Sequence, residues 1–298
     1  MKLGILDLGL ISLDTKETSA DVLNNTFSAV QLAEELGFER YWLAEHHAPD
    51  TAWRNTDLMV AMAAGFTDKI KVGSAGVIVS VNNPYRVANN FRLASALYSD
   101  RIELGLARGS VTETYAKHLL DIDIDTVDLE KKYEDLILFS RNQHSQVPVP
   151  PYGTKSPTLW ALSSGAGGMA NAITHNLDYC ISLFHGNEWN KELADAIKKF
   201  RDVFYERNER IPNVVIACAG VCSDTNENAE LKLNNFLGNG STWKPNITGS
   251  PEKFHEEFEK LTKDSGVENF VFCDLSHASL KEENLHHLSK LIEKEVYV

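Results

Sequence analysis

Short apolar segments alternate with amphipathic segments along the whole chain, and this alternation limits the folds open to the sequence more than any other feature. Eight apolar segments are short enough for strands and apolar at successive positions, as in strands that are buried on both faces of a parallel sheet. They cover residues 2–8, 40–44, 70–79, 101–106, 158–162, 177–183, 213–221 and 269–274. The sequence therefore predicts a buried parallel sheet.

The segments between the predicted strands have the apolar spacing of helices. They cover residues 20–36, 56–67, 84–99, 129–141, 167–175, 189–208, 226–236, 251–265 and 281–295. Eight strands that alternate with helices over 298 residues favour a (β/α)8 TIM barrel over a doubly wound sheet, which more often has about five or six strands. We predict a single barrel domain over residues 1–298, with the proline-rich stretch 148–157 as a surface connection.

Chemical signals mark the ends of several predicted helices. Asn83 is a predicted N-cap, followed by Pro84 at the first helical position, and Gly37 follows the first helix as a left-handed cap would. Asp224 and Glu227 have the spacing of a capping box, in which the two side chains accept hydrogen bonds from backbone N–H groups. These signals support the predicted helix boundaries.

Charge and composition exclude several classes of function. The chain has 29 basic and 42 acidic residues and a formal charge of −13, whereas a nucleic-acid-binding protein needs a basic face to displace counterions. No run of about 18 apolar residues is present to span a membrane, and the first apolar run is broken too early for a signal peptide. The four cysteines lie in apolar segments without metal-ligand spacing. We expect a cytoplasmic protein that binds neither nucleic acid nor a membrane.

Functional residues of a TIM barrel lie at the carboxyl ends of its strands, and the second predicted strand ends in Glu45, His46 and His47. Successive strand residues face opposite sides, so the two histidines are not expected to bind one metal ion together. We expect one of them in the pocket and the other packed or exposed. His46 is the candidate catalytic residue, beside a carboxylate that could fix its tautomer. A packed structural histidine is the alternative.

The third predicted strand contains the small residues Gly73-Ser74-Ala75-Gly76. Small residues weaken a strand and usually mark a close approach of another group to its backbone. A flat ring system lying against Ser74 and Ala75 at the barrel mouth would need this clearance. Packing of a small-residue layer inside the barrel is the alternative.

Two further strand ends carry groups that suit an anion. Arg108 ends the fourth strand, and a buried arginine needs a partner, either a protein carboxylate or a bound phosphate. The segment with Ser163, Ser164, Gly165 and Gly167 joins the fifth strand to a helix. Its hydroxyls, its backbone N–H groups and the helix N-terminus favour a phosphate, with an ordinary tight turn as the alternative. A phosphate held there and a flat ring near His46 together describe flavin mononucleotide (FMN).

The same segments, taken in order, resemble those of the bacterial luciferase-like flavin-dependent monooxygenases, and the resemblance extends over nearly the whole chain. It rests on residues 33–47, 72–77, 83–88, 100–106, 163–164, 221–225 and 249–252. The resemblance implies a barrel that uses reduced FMN, supplied by a separate flavin reductase, and O2 to oxygenate a small organic substrate through a peroxyflavin. It also implies a homodimer in which early helices pack together.

The resemblance assigns roles to individual residues. His46 matches the family's pocket histidine, which is implicated as a general base, and Arg108 matches a phosphate-binding arginine. Ser163 and Ser164 fall in the family's phosphate loop. The bond between Ser74 and Ala75 matches the family's non-prolyl cis peptide under the flavin ring.

Departures from the family pattern leave alternatives open. Ala107 and Val111 stand where luciferase has a cysteine and a tyrosine, so light emission on a long-chain aldehyde is not expected. The stretch before Leu129 and the stretch 226–248 are short, and the latter supplies a mobile lid in larger members. The chain could therefore be a non-catalytic flavin-binding protein or a partner subunit of a heterodimer. Hydride transfer with a deazaflavin in place of FMN is a further alternative, because some barrels of the superfamily that the chain resembles use that cofactor. Further candidates for the pocket mouth, with core packing as their alternative, are Asp7, Trp53, Phe184 and His185.

Overall fold

The protein is a closed barrel of eight parallel strands. The computed structural model describes residues 1–292 except 12–15, 110, 112–114, 120–125, 166, 187 and 238–243. The strands are β1 (Lys2–Asp7), β2 (Arg40–Leu43), β3 (Lys71–Ile78), β4 (Ile102–Ala107), β5 (Thr158–Ser163), β6 (Asp178–Ser182), β7 (Val214–Gly220) and β8 (Asn269–Asp274). Each pairs with the next, and β1 closes the barrel against β8. The predicted TIM barrel is confirmed, and each strand end lies within one residue of its predicted position.

Helices connect the strands and cover the outside of the barrel. They are α1 (Ser19–Leu36), α2 (Thr56–Gly65), α3 (Pro84–Leu97), α4 (Leu129–Ser140), α5 (Gly167–His175), α6 (Lys191–Asn208), α7 (Asn226–Leu237), α8 (Pro251–Ser265) and α9 (Lys281–Ser289). The predicted helices are confirmed to within two residues, except that α9 ends at Ser289 and its predicted continuation to residue 295 lies partly outside the described residues. Among the helices of the described part, none is long and apolar enough to cross a membrane.

The predicted caps of α1 and α3 are confirmed. The side chain of Asn83 accepts a hydrogen bond from the backbone N–H of Arg86 at 3.0 Å, and Pro84 occupies the first turn of α3. Gly37 ends α1 in the left-handed region with a φ of 88°, which a residue without a Cβ adopts at little cost.

The predicted capping box at the start of α7 is wrong. Thr225 caps this helix, because its Oγ1 accepts a hydrogen bond from the backbone N–H of Asn228 at 3.1 Å. The carboxylate of Asp224 instead accepts hydrogen bonds from the N–H of Thr225 and from the side-chain amide of Asn228. Both residues are good N-caps, and the helix begins one residue later than the predicted box requires.

A buried ion pair fills the interior of the barrel near the amino-terminal ends of the strands. Nε of Arg40 lies 3.1 Å from Oε2 of Glu103, and both side chains are almost completely buried. The indole N–H of Trp42 donates to the same carboxylate oxygen at 2.6 Å, and Arg40 donates to Asn269 at 2.7 Å. The guanidinium also lies over the rings of Trp42 and Trp160. This cluster forms the floor above which the rest of the interior opens.

A second buried polar cluster joins the ends of β1 and β8 to α9. Nζ of Lys281 lies 2.6 Å from Oδ2 of Asp7, and the hydroxyl of Tyr41 donates to the same oxygen at 2.7 Å. Burial alone would raise the pKa of Asp7, but the charge of Lys281 and these hydrogen bonds hold it below its usual value. The side-chain amide of Asn284 donates a hydrogen bond to Asp274 at 3.0 Å, and burial raises the pKa of Asp274 to about 6.

The raised pKa of Asp274 predicts how its replacement changes stability with pH. In the folded protein Asp274 binds its proton more tightly than in the unfolded chain, so the stability that it contributes is lost as the pH rises through about 6. We expect Asp274→Asn to raise the melting temperature by roughly 2–4 °C at about pH 8, where the wild type buries a charge, and to change it little at about pH 4.5. Calorimetry at both values tests this, and an equal shift at both would contradict it.

Candidate functional site

A cavity of about 630 Å³ opens at the carboxyl ends of the strands, within the usual range for small-molecule sites of roughly 300–1,000 Å³. Its deeper wall is apolar and includes Leu6, Trp42, Leu162 and Ala217, whereas histidine, serine and arginine side chains surround the opening. The cavity is thus suited to a ligand with a flat apolar part and a polar end. Within the described residues, no group of three or more His, Cys, Asp or Glu side chains is placed to hold a metal ion.

The cavity brings together most of the residues that the sequence analysis selected. The predicted site residues in its lining are His46, Ala75, Arg108, Ser163, Ser164 and Gly167. Ser74 lies outside it, because its buried hydroxyl faces α2 and donates to Oγ1 of Thr56 at 3.1 Å. Ala75, the next residue along the strand, faces the interior instead, as the alternation of strand side chains requires.

The cis peptide bond expected between Ser74 and Ala75 lies one residue further on, between Ala75 and Gly76. This bond lies where the pairing of β3 with β4 shifts its register, between Ser74 and Val77. A Cβ at Gly76 would collide with the side chain of Leu162 and with the backbone carbonyl of Gly105. The close approach predicted for this small-residue segment is therefore present, and it requires glycine at position 76.

Glu45 determines how the two histidines after β2 are oriented. Its buried carboxylate lies 2.7 Å from Nε2 of His47 and accepts hydrogen bonds from the backbone N–H of Ile78 and from the side chain of Asn82, both at 2.9 Å. The expectation that Glu45 fixes the tautomer of His46 is wrong, because Glu45 binds His47. This pairing holds His47 outside the cavity lining, to which His46 belongs.

A second histidine faces His46 across the opening. His185 lines the cavity, with its Nδ1 2.7 Å from Oγ of Ser182 and its ring centroid 4.5 Å from that of Phe184. Burial lowers the pKa of His46, and burial together with the nearby His46 lowers the pKa of His185. Both rings are therefore neutral at pH 7 and can each accept or donate a hydrogen bond.

The other two candidates for the pocket mouth lie elsewhere. Asp7 belongs to the polar cluster beside α9, where it pairs with Lys281. Trp53 is buried, and its indole N–H donates to the backbone carbonyl of Ala44 at 3.1 Å. For these two residues the alternative of core packing is correct, whereas Phe184 and His185 line the cavity.

Arg108 lines the cavity but is not buried as the sequence suggested. Its side chain is 40% exposed, and its guanidinium forms an ion pair with the carboxylate of Glu130 on α4. The sequence analysis left open whether Arg108 pairs with a protein carboxylate or with a bound phosphate. In the described structure its partner is the carboxylate of Glu130. Glu130 is itself exposed, so an anion that enters the cavity can compete with it for Arg108.

The loop after β5 is held by its own hydrogen bonds. The hydroxyl of Ser163 donates to the backbone carbonyl of Gly165 at 2.8 Å and accepts from the N–H of the same residue, and Tyr179 also donates to that carbonyl. Gly165 thus stabilises the turn and is not part of the cavity lining. Ser164 and Gly167 face the cavity at the start of α5, while residue 166 lies outside the described residues.

Sequence reasoning missed two side chains that helices contribute to the cavity. Asn171 lies on α5 one turn after Gly167, and Tyr133 lies on α4 one turn after Leu129. The spacing of four residues from Gly167 could have identified Asn171, because residues at that distance share a helix face. Tyr133 has no comparable signal, since its position depends on how α4 packs against the barrel.

The family to which the chain belongs follows from comparison with known proteins. The sequence model of the luciferase-like monooxygenase family matches residues 1–268. The chain belongs to this family. It is therefore a luciferase-like oxidoreductase, and the predictions of family and enzyme class are confirmed.

Similar proteins agree with this family and fold. YceB of Bacillus subtilis (strain 168), an uncharacterized protein, is 28% identical over 238 residues, which cover 76% of this chain and 70% of YceB. The structure of apo-MsnO8 matches with a TM-score of 0.83 at 23% identity, over 97% of this chain and 98% of that one. The oxygenating constituent of 3,6-diketocamphane monooxygenase from Pseudomonas putida, solved with FMN, matches with a TM-score of 0.73 at 17% identity, over 99% and 98%.

The shortened segments of the sequence analysis can be located only in part. In the stretch 226–248, α7 occupies Asn226–Leu237, and residues 244–248 return along the end of β7. Residues 238–243, and residues 110, 112–114 and 120–125 of the connection between β4 and α4, lie outside the described residues. The expected loss of a lid therefore stays a prediction.

Proposed function

We propose that the protein is an FMN-dependent monooxygenase that uses reduced FMN and O2 to oxygenate a small organic substrate. The observation that carries this proposal is the convergence of His46, Ala75, Arg108 and Ser164 on one cavity in a chain of the luciferase-like monooxygenase family. The solved relative with bound FMN supports the choice of cofactor.

The residues of the cavity fit FMN. The apolar wall with Leu6, Trp42 and Leu162 and the backbone of Ala75 and Gly76 suit a flat ring system. A Cβ at Gly167 would meet no atom within 4 Å, so the first turn of α5 has room for a phosphate beside its N–H groups. Arg108 and Ser164 would hold that phosphate, together with these N–H groups.

The residues of this chain have separate tasks in the proposed reaction. Bound reduced FMN supplies two electrons, with which one atom of O2 enters the substrate and the other becomes water. The neutral ring of His46 accepts or returns a proton at the cavity. The apolar wall around Trp42 and Leu162 excludes water from the place where the oxygen is transferred.

If Arg108 binds the phosphate, replacement of Arg108 and replacement of its partner Glu130 should change FMN affinity in opposite directions. Arg108→Ala removes a charged phosphate contact and should weaken FMN binding by about 10- to 100-fold. Glu130→Gln removes the competing carboxylate and should tighten it by about two- to fivefold. Titration of each variant with FMN, followed by quenching of flavin fluorescence, measures both effects.

Riboflavin and a neighbouring glutamate provide the controls. Riboflavin lacks the phosphate, so its affinity should change little in either variant. Glu134→Gln, on the exposed face of the same helix, should leave FMN affinity unchanged. Equal effects on FMN and riboflavin would contradict the assignment of the phosphate to Arg108.

The role of His46 predicts a rate and a pH dependence. Because burial lowers the pKa of His46, the acid limb of kcat/KM should lie below about pH 6.5, with no change through neutral pH. His46→Gln should lower kcat by about 10²- to 10³-fold and abolish that limb, while FMN affinity is retained. The measurement is isotope-labelled oxygen in the product, with reduced FMN, labelled O2 and a panel of small organic substrates.

The outcomes of this experiment separate the two functions. Labelled product that is lost in His46→Gln supports the monooxygenase. FMN binding without labelled product from any substrate would favour a non-catalytic flavin-binding protein or partner subunit. Binding of a deazaflavin in place of FMN would redirect the proposal to hydride transfer.

We also propose that reduced FMN reaches the enzyme from a separate flavin reductase in the cytoplasm. The four cysteines are all free and buried, as is usual for a protein of a reducing compartment. Oxygenation that depends on NADH and an added reductase, and that free oxidised FMN does not sustain, would support this supply of cofactor.

A homodimer is proposed through the outer faces of α2 and α3. These faces expose Leu58, Met62, Leu93 and Leu97, the last of them 75% exposed, and Phe66 lies at the end of α2. Adjacent apolar side chains of this kind mark a protein interface. We expect Leu97→Glu to convert the dimer into a monomer in sedimentation equilibrium, and a wild type that sediments as a monomer would contradict the proposal.

A further inference from the structure

A second cavity adjoins the first at the mouth of the barrel. Its volume is about 530 Å³, and it shares His46, Phe184 and His185 with the cavity proposed to hold FMN. Leu10, Ala48, Asp50, Gly186 and Lys244 complete its lining. A small molecule in this second cavity would therefore contact the two histidines that also face the first.

The lining of the second cavity contains one acidic side chain, Asp50, and one basic side chain, Lys244. Asp50 acts on His46, whose pKa it raises against the effect of burial. Lys244 is exposed and belongs to this lining. Asn246, two residues further on, is bound to the end of β7. The backbone N–H of Asn246 donates to the carbonyl of Ala219 at 2.8 Å, and its side-chain oxygen accepts from the N–H of Ala219 at 3.3 Å.

Lys244 gives the mouth of the cavity a cation on a strongly acidic protein, with the carboxylate of Asp50 elsewhere in the same lining. The whole chain carries a formal charge of −13, which disfavours the approach of anions in general. An ammonium group at the rim, above the two neutral histidines, offers an anion a local partner. The apolar side chains of Leu10 and Phe184 lie in the same lining, so a ligand with a carboxylate and an apolar part matches the whole set.

His185 is fixed for contact with such a ligand. Its Nδ1 is engaged by Ser182 at 2.7 Å, and its ring packs against Phe184. The ring nitrogen that can meet a ligand is therefore Nε2. Since His185 lines both cavities, a ligand in the second cavity can contact this side chain at the end that approaches the first.

We propose that the second cavity is the substrate site and that it binds a small organic acid, with Lys244 pairing with the carboxylate and His185 contacting the end nearest the flavin. Leu10 and Phe184 contact the apolar part between these two ends. This inference rests on the proposed function, because it takes the first cavity to be occupied by FMN.

Two probes of the same shape test the charge preference. Phenylacetate and phenylacetamide differ in charge at one end and are titrated by calorimetry into the protein saturated with FMN. The wild type should bind phenylacetate about three- to fivefold more tightly than the amide. Lys244→Gln should remove this difference, whereas Lys263→Gln, at the exposed end of α8, should preserve it.

A separate variant tests the proposed contact between His185 and the ligand. His185→Leu should weaken the binding of both probes by about five- to tenfold, because it removes a hydrogen bond that the two probes share. Equal affinity of the wild type for acid and amide, absence of phenylacetate binding, or a difference that persists in Lys244→Gln would overturn the inference.

FMN affinity, measured separately for each variant, distinguishes this inference from the proposed function. If FMN binds and the probes show no preference, the substrate assignment is wrong and the flavin site stands. If FMN does not bind to the wild type, the proposed function is wrong and the substrate assignment fails with it.

Discussion

The pairing of Arg40 with Glu103 inside the barrel is the interaction on which the rest of the molecule depends. A buried ion pair is stable only when each charge keeps its hydrogen-bonding partners, and here Trp42 and Asn269 provide them. The four side chains come from three different strands, β2, β4 and β8, so they fix the barrel interior at one level. Because this level is filled, the space that remains lies above it, at the carboxyl ends where the cavity opens.

The fold could be predicted from the sequence because every strand is buried on both faces. A continuous apolar run such as 269–274 has sharp polar boundaries, and these boundaries coincide with the ends of β8. The location of the site could also be predicted, since strand ends meet at one edge of a parallel barrel. His46 and Arg108, which both line the cavity, were selected in this way.

What could not be predicted depends on contacts between residues far apart in the sequence. Ser74 turns away from the cavity because Thr56 accepts its hydrogen bond, and Gly165 is held in its turn partly by Tyr179. The pairing of Glu45 with His47 could have been predicted from the sequence. Glu45 and His47 are two residues apart and share a side of an extended segment, so the alternation that separates the two histidines also separates Glu45 from His46.

The cluster of Arg40 and Glu103 at the floor of the barrel also limits which residues of this protein can be replaced. A Cβ at Gly4 would collide with Arg40, and a Cβ at Gly73 would collide with the backbone of Glu103, so the floor accepts no added side-chain atom at these two positions. The rim residues on loops, such as Asp50 and Lys244, have no such restriction. Evolution or engineering can therefore exchange the rim for new specificities while the charged floor keeps the same barrel beneath it.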